Sequence, residues 1–337
     1  MGQFSRELAS SLHAEVIASQ TNGLLHPLRL MIFETFSQAR ILTGPTGCGK
    51  SALALGLAER LDAEIVSMDS MALYRRMDIG TAKPTRDQRR RVPHHLLDVL
   101  DPWESASVAW WLEQAVACCQ DITQRGKRPL FVGGTPLYLK ALLYGLFEGP
   151  PADEAIRRRL SEEAAADSAA LHARLTVVDP VSAARLHPND VRRVIRALEV
   201  WELTGRPISA WQTQWRSSET ENALRDSRCL YLDLPRAELY ARIDMRVERM
   251  IAEGLAEEVR ALRQLERPLS REAGQALGYK EMFDYLDGRA RLDDTVRRIQ
   301  TRSRNFAKRQ ITWFRHLPPC RPIRPELTFA AWGLTML

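Results

Sequence analysis

The spacing of apolar positions changes character twice along the chain. Between Ala39 and about residue 146, short apolar runs alternate with stretches of helical periodicity. Ile41-Leu42 is the first run, and Ala52, Leu53, Leu55, Leu57, Ala58 and Leu61 then recur at helical spacing. Ile65-Val66 reads as a second strand ending at Asp69, residues 96–99 as a third after His94-His95, and residues 130–132 as a fourth. Ser105 or Ser107 can cap a helix running to Gln124, with Gly126 as its stop. Strands alternating with helices predict an α/β fold, a parallel sheet with helices on both faces.

The alternation stops near Pro150-Pro151. From residue 152 to about 215 every segment reads helical, so an all-helical insertion domain is expected. In one of its helices Asn189 or Asp190 is the cap, and Val191, Val194, Ile195, Leu198 and Trp201 form one apolar face. Gly205 and Pro207 end it. LYLDL (230–234) reads as a returning strand, followed by helices at 237–253, 255–264, 273–286 and 293–309. Residues 6–19 can form a helix, and Met31 is an alternative start. The expected division is an N-terminal extension without an assigned role (1–38), a core (39–146 and 226–316) split by the insertion (147–225), and a Pro-rich irregular tail (317–337).

Composition narrows the class without naming it. The 337 residues are 45% apolar and 27% charged, which excludes a collagen-like, disordered or small disulfide-stapled chain. No apolar run reaches the roughly 18 residues of a membrane span, and the N-terminus lacks the apolar centre of a secretory signal. The five cysteines include no C-x-x-C pair, which argues against a zinc ribbon, and their odd count, with two adjacent, argues against a disulfide framework. A reducing, cytoplasmic setting is expected. No self-complementary face stands out, so the expected state is a monomer. Lys plus Arg number 48 against 42 Asp plus Glu, a net charge of +6. The insertion does not hold this surplus: residues 151–225 carry 11 basic and 11 acidic side chains. Basic side chains are clustered locally instead, at Arg192, Arg193 and Arg196 within the balanced insertion and in residues 297–315, which hold seven basic and no acidic residues beside Phe306, Trp313 and Phe314. So one-sided a run, interleaved with aromatics, fits a nucleic-acid surface.

Gly44-Pro45-Thr46-Gly47-Cys48-Gly49-Lys50-Ser51 fits G-x-x-x-x-G-K-[ST] in full, between a strand and a helix. Such a loop turns backbone N–H groups and a helix N-terminus onto phosphate oxygens. Its lysine adds a mobile charge, and Ser51 offers a hydroxyl to Mg2+. The motif calls for a phosphate compound without saying which. Asp69 follows the second strand at the edge where ligands bind in such sheets. It can cap a helix, ligate Mg2+ or act as a general base. Gly133-Gly134-Thr135 follows the fourth strand, with Thr135 either a cap or a contact in the site. MDIGTAKP (77–84) is a glycine-bearing loop with a lysine, on the same edge as Asp69. Arg242, Arg246 and Arg249 form a row on one helix, either a solvated face or a clamp on a leaving phosphate group.

Seven blocks, in order, resemble the bacterial tRNA dimethylallyltransferases. They are GPTGCGKS, SMDSMALYRRMDIGTAKP (67–84), PHHLLD (93–98), FVGGTPLYLKALLYGL (131–146), LHPNDVRRVIRALEV (186–200), ALGYKEM (276–282) and AKRQITWFR (307–315). The resemblance covers about residues 39–316. It implies a P-loop kinase-like core with a helical insertion. It implies transfer of a dimethylallyl group from dimethylallyl diphosphate to N6 of the adenosine at position 37 of tRNA, just 3′ of the anticodon, with Mg2+ required. The phosphate loop would hold the diphosphate as a leaving group, Ser51 would help to place Mg2+, and Asp69 would be the general base. Thr135 would touch the substrate nucleotide and Arg242 would steady the pyrophosphate. The stretches aligned with tRNA contacts are Asp69, Ser70, Met71 and Ala72; Arg157; Arg192, Arg193, Val194, Ile195 and Arg196; Gln275, Ala276, Leu277, Gly278, Tyr279 and Lys280; and Ser303, Arg304, Lys308, Arg309 and Gln310. Two departures stand out: Cys48 replaces a usual serine, and the extension 1–38 has no counterpart.

The chemistry agrees with that assignment. Breaking an allylic C–O bond gathers negative charge on pyrophosphate, which calls for cations and N–H donors. An exocyclic amine is a weak nucleophile, so a carboxylate beside N6 is useful. An anticodon-loop base is already unpaired, which makes its extrusion cheaper. Three rivals remain at this point: an ATP-dependent small-molecule kinase, a transferase that prenylates free adenine nucleotides, and a nucleotide-binding tRNA partner without chemistry. The kinase needs neither the helical insertion nor the basic block, the free-nucleotide transferase has little use for a basic helical insertion, and Asp69, Thr135 and Arg242 argue against a partner without chemistry.

Overall fold

The structure, a computed structural model, describes residues 35–36, 38–146, 149–212, 228–317 and 320–335. The expected helix at 6–19, the start at Met31 and the end of the insertion lie outside the described residues. Strands β1 (Arg40–Thr43), β2 (Ala63–Ser67), β3 (His94–His95), β4 (Arg128–Gly133), β5 (Cys229–Leu232) and β6 (Arg321–Ile323) form one sheet. Its order is β3-β2-β4-β1-β5-β6, and every neighbouring pair is parallel.

Strand period 2 explains why the apolar runs are unbroken. Ile41, Val66, Phe131 and Tyr231 join the core on one face, and Leu42, Ile65, Leu130 and Leu230 join the core on the other. Helix α1 (Lys50–Leu61) packs Ala54, Leu57 and Ala58 onto the second face. Helix α2 (Val108–Gln124) packs Trp111, Ala115, Cys119 and Ile122 onto the first, and Ser107 caps it by accepting from the Trp110 amide at 3.0 Å. Helix α3 (Pro136–Tyr144) follows β4 directly.

The insertion has its own apolar core. Helices α4 (Glu154–Ala166), α5 (Ser168–Val178) and α6 (Val191–Thr204) enclose Leu160, Leu171, Leu175, Val194 and Leu198, separate from both sheet faces. Its second anchor is polar. Fully buried Glu199 accepts hydrogen bonds from Arg157 Nε at 2.8 Å, Arg196 Nη1 at 2.6 Å and the Asp153 amide at 2.8 Å. Burial works against the Glu199 charge, yet the bonds from Arg196, the Asp153 amide and Arg157 outweigh it and hold its carboxyl below the ordinary range.

After the insertion come α7 (Arg236–Ala252), α8 (Leu255–Arg263), α9 (Tyr279–Leu286) and the long α10 (Leu292–Arg315). Among the described residues no helix is long and apolar enough to cross a membrane.

Three expectations are corrected. The third strand is His94–His95, not 96–99. Leu96 and Asp98 have φ of +58° and +55°, which extended backbone cannot continue. The turn they make delivers the Asp98 carboxylate to Lys83 at 2.6 Å and Arg89 at 2.5 Å. The helix expected over 273–286 is interrupted between Arg271–Gly274 and α9, where Gly278 takes φ +91° and its amide donates to Glu281 at 2.8 Å. The tail is not irregular: Arg321–Ile323 adds strand β6 to the β5 edge, and buried Trp332 lies beneath the Arg40 guanidinium, 5.2 Å from the ring centroid.

Glu199→Ala removes the acceptor on which two guanidinium groups converge, and should cost about 3 kcal/mol in urea unfolding at pH 7. Because the folded-state carboxyl is depressed, its contribution is fully present above the unfolded value of 4.5 and is lost as pH falls through the folded one. The gap between variant and parent should therefore narrow in melts below that pH.

Candidate active site

Four loops meet at the carboxyl edge of the sheet. The first is the phosphate loop, running from β1 into α1. Gly44, Gly47 and Gly49 all have positive φ, so the loop can turn its amides inward. Lys50 Nζ donates to the carbonyls of Gly44 and Pro45, both at 2.8 Å. Cys48 is buried, with its Sγ 3.6 Å from Lys50 Nζ. Ser51 stands exposed in the first turn of α1 and borders the cavity described below.

The second and third loops follow β2 and β4. Asp69 is half-buried, and its Oδ1 accepts the Met71 amide at 2.9 Å. Thr135 stands at the N-cap position of α3, but its hydroxyl makes no capping bond. Instead its Oγ1 accepts the Ser70 amide at 3.0 Å while its own amide donates to the Met68 carbonyl at 3.1 Å. Thr135 therefore does not cap α3 through its side chain; it ties the Asp69 loop to the β4 loop and lines the cavity described below. The two loops touch backbone to backbone. A Cβ on Gly133 would fall 2.3 Å from the Met68 carbonyl carbon.

The fourth loop is 77–84, whose residues 80–84 line the cavity. Glu258 of α8 pins it, accepting the amides of Asp78 and Ile79 at 2.8 Å each and of Gly80 at 3.1 Å. The same carboxylate takes the Tyr279 hydroxyl at 2.6 Å. Burial and the adjacent Glu258 charge push the Tyr279 phenol well above its ordinary value, so it stays a donor. The Lys83 ammonium lies between Asp78 at 2.9 Å and Asp98 at 2.6 Å with a side chain 1% exposed; its charge braces the loop.

Between the four loops lies a cavity of about 560 Å3, within the range of small-molecule sites. Lys50, Asp69, Thr135, Arg246, Tyr279 and Gln310 are among its walls. The arginine row of α7 therefore divides. Arg242 pairs with Glu238 at 2.7 Å, and its Nη1 lies 3.5 Å from where a Cβ on Gly49 would stand, so it borders the phosphate loop. Arg246 reaches into the cavity, with its Nη2 3.5 Å from the Thr81 carbonyl. Burial lowers the pKa of its guanidinium, opposed by the attraction of Asp69. Arg249 stays exposed.

The residues expected to meet tRNA fall into three groups. Asp69, Ser70, Met71, Ala72 and Gln275, Ala276, Leu277, Gly278, Tyr279 line the cavity, as do Ser303 and Gln310. Arg192, Arg193, Lys308 and Arg309 are exposed, Arg193 beside Asp190 at 3.0 Å and Arg309 over the Phe306 ring at 5.8 Å, and Arg309 also borders the cavity. The remainder are buried or half-buried and stand outside the cavity wall. Val194 and Ile195 are buried in the insertion core, so their side chains are out of reach of a ligand. Arg157 and Arg196 hold Glu199, and Arg304 pairs with Asp244 at 2.5 Å. Lys280 is half-buried at the start of α9. From the basic block, Arg302 lines the cavity and pairs with buried Glu281.

Sequence reasoning missed the carboxylate clasp of Glu258 and the inward side of Gln310. One signal was available for Gln310. Ser303, Ala307, Gln310 and Phe314 fall at spacings of four, three and four, so a glutamine sits in the core-facing stripe of α10.

Comparison with known proteins converges on one family. The sequence pattern of the family described as IPP transferase matches residues 72–317. A tRNA dimethylallyltransferase of Geobacter metallireducens is 50% identical over 278 residues, 82% of this chain and 88% of that protein. One from Geobacillus thermodenitrificans is 49% identical over 83% of this chain and 88% of its own length. Among solved structures, the full-length tRNA isopentenylpyrophosphate transferase of Bacillus halodurans superposes with a TM-score of 0.60 at 40% identity, covering 86% of this chain and 90% of that one. A eukaryotic dimethylallyltransferase acting on tRNA gives a TM-score of 0.67 at 28% identity, over 86% and 74%. With the phosphate loop, Asp69 and Thr135 on one cavity, the chain belongs to the IPP transferase family, among the tRNA dimethylallyltransferases.

Proposed function

We propose that this protein transfers a dimethylallyl group from dimethylallyl diphosphate to N6 of the adenosine 3′ of the anticodon in tRNA. The observation that carries the reading is the meeting of the phosphate loop and the Asp69 carboxylate on one cavity. The diphosphate lies on the loop amides, with Lys50 beside it and Arg242 at its outer side. As the allylic C1–O bond breaks, negative charge grows on the leaving pyrophosphate, where these cations stabilise it. N6 bonds to C1, and its proton passes to Asp69. Thr135, by holding the Ser70 amide, keeps the Asp69 loop at its station.

Among the described residues no three His, Cys, Asp or Glu side chains are grouped to hold a metal ion. The Ser51 hydroxyl, on the cavity wall at the start of α1, is an oxygen donor of the kind Mg2+ takes and would help to hold it. When bound, Mg2+ would neutralise charge on the leaving group.

The anticodon stem-loop would lie against exposed Arg192, Arg193, Lys308 and Arg309. A small-hydroxyl kinase needs no such surface, and family membership sets that reading aside. All five cysteines are free thiols, which supports a reducing, cytoplasmic setting, and we keep the monomer as the working state.

Labelled dimethylallyl diphosphate, Mg2+ and unmodified tRNA should yield label on tRNA; ATP turnover in its place would refute the proposal. Asp69→Ala should lower turnover by about 10²–10⁴-fold while a gel-shift assay still detects tRNA binding. Near-normal turnover would remove Asp69 from the base role. Arg193→Ala should weaken tRNA binding and reduce the slope of log affinity against log salt by about one. An unchanged slope would mean that Arg193 meets no phosphate.

A further inference from the structure

Gln310 stands on the basic face of the sequence but not on that face of the structure. It is 3% exposed, whereas its neighbours Lys308 and Arg309 are exposed. A carboxamide buried in an apolar stripe is costly unless both its ends are paired, and here both are. The Thr46 amide of the phosphate loop donates to Gln310 Oε1 at 2.9 Å, and Gln310 Nε2 donates to the Gly134 carbonyl at 2.6 Å. The partners decide which end of the amide is which: an N–H needs the oxygen, and a carbonyl needs the NH2. The β4 loop is shaped to receive it. A Cβ on Gly134 would fall 2.7 Å from Gln310 Nε2 and 3.0 Å from the Gly44 carbonyl oxygen.

We propose that Gln310 is a positioning residue for the diphosphate half of the reaction, not a contact for tRNA. Its carboxamide spans the phosphate loop and the Gly133-Gly134-Thr135 loop and sets the gap between them. The Thr46 amide is spent on this support, so the anion is left to the other loop amides and to Lys50. The inference rests on the reading of this cavity as a diphosphate site.

The test uses the full chain with Gln310→Leu, Gln310→Glu and Gly134→Ala. Gln310→Leu loses both hydrogen bonds at similar volume. It should raise KM for dimethylallyl diphosphate about tenfold, two buried neutral hydrogen bonds' worth, with KM for tRNA within about twofold. Gln310→Glu keeps an acceptor for Thr46, loses the donor to Gly134 and adds a negative charge beside the anion, so its KM should rise further. Gly134→Ala attacks the same contact from the other side with Gln310 intact and should reproduce the effect. The Gln310→Leu, Gly134→Ala double variant should add little more.

Pyrophosphate binding, followed by calorimetry without tRNA, separates the two layers of the argument. Wild type that fails to bind pyrophosphate overturns both the diphosphate site and this inference. Wild type that binds it, with Gln310→Leu binding equally well, overturns this inference alone. A rise in KM for tRNA with KM for the diphosphate unchanged returns Gln310 to tRNA contact. A fall in kcat with neither KM changed reduces it to a structural residue.

Discussion

Backbone meeting backbone at the carboxyl edge of the sheet is the constraint on which the rest depends. The parallel strands β1, β2 and β4 end side by side, and each hands its chain to a loop facing the same space. The loop after β4 passes so near the end of β2 that no side chain fits between them, and it abuts the phosphate loop on its other side. Asp69, the phosphate loop and Thr135 therefore hold fixed relations before any side chain is chosen to act. Thr135 and Gln310 close the remaining gaps with hydrogen bonds between loops that are far apart in sequence. Preorganisation of this kind is what a reaction with growing charge on a leaving group demands.

The outer wall is held by another means. Loop 77–84 has few apolar anchors, and its three consecutive amides converge on the single carboxylate of Glu258. Lys83 is fixed between two aspartates beneath it. These charges hold the loop that walls the cavity. The same division runs through the arginines. Those facing Glu199, Glu281 and Asp244 hold elements together, while Arg192, Arg193 and Arg309 remain on the surface. Net charge is blind to that distinction, and so is a count of basic residues in a helix.

Much of this was legible in the residues themselves. GPTGCGKS between an apolar run and a helical period predicts a glycine-bearing loop from a strand into a helix, and the loop from β1 into α1 has Gly44, Gly47 and Gly49 at positive φ. Strands β1, β2, β4 and β5 were located closely because strands buried on both faces read as unbroken apolar runs. Where the reading failed, a contact distant in sequence decided the outcome. Asp98 is drawn to Lys83 and Arg89, which turns the chain where a strand was expected. Residues 321–323 carry no strand pattern of their own, and the open edge of β5 makes them one.

Taken alone, then, the sequence determined the class of fold, the glycine-bearing loop between β1 and α1, and the family. Each of these is written in local spacing or in short contiguous motifs. The tertiary structure decided which polar side chains face the cavity and which brace it. Arg246, Glu258 and Gln310 resemble many other arginines, glutamates and glutamines until helices α7, α8 and α10 are packed against the loops. A side chain's role in a buried site depends on the partners that desolvation forces it to find, and the loop groups that these three meet lie 165 to 264 residues away along the chain.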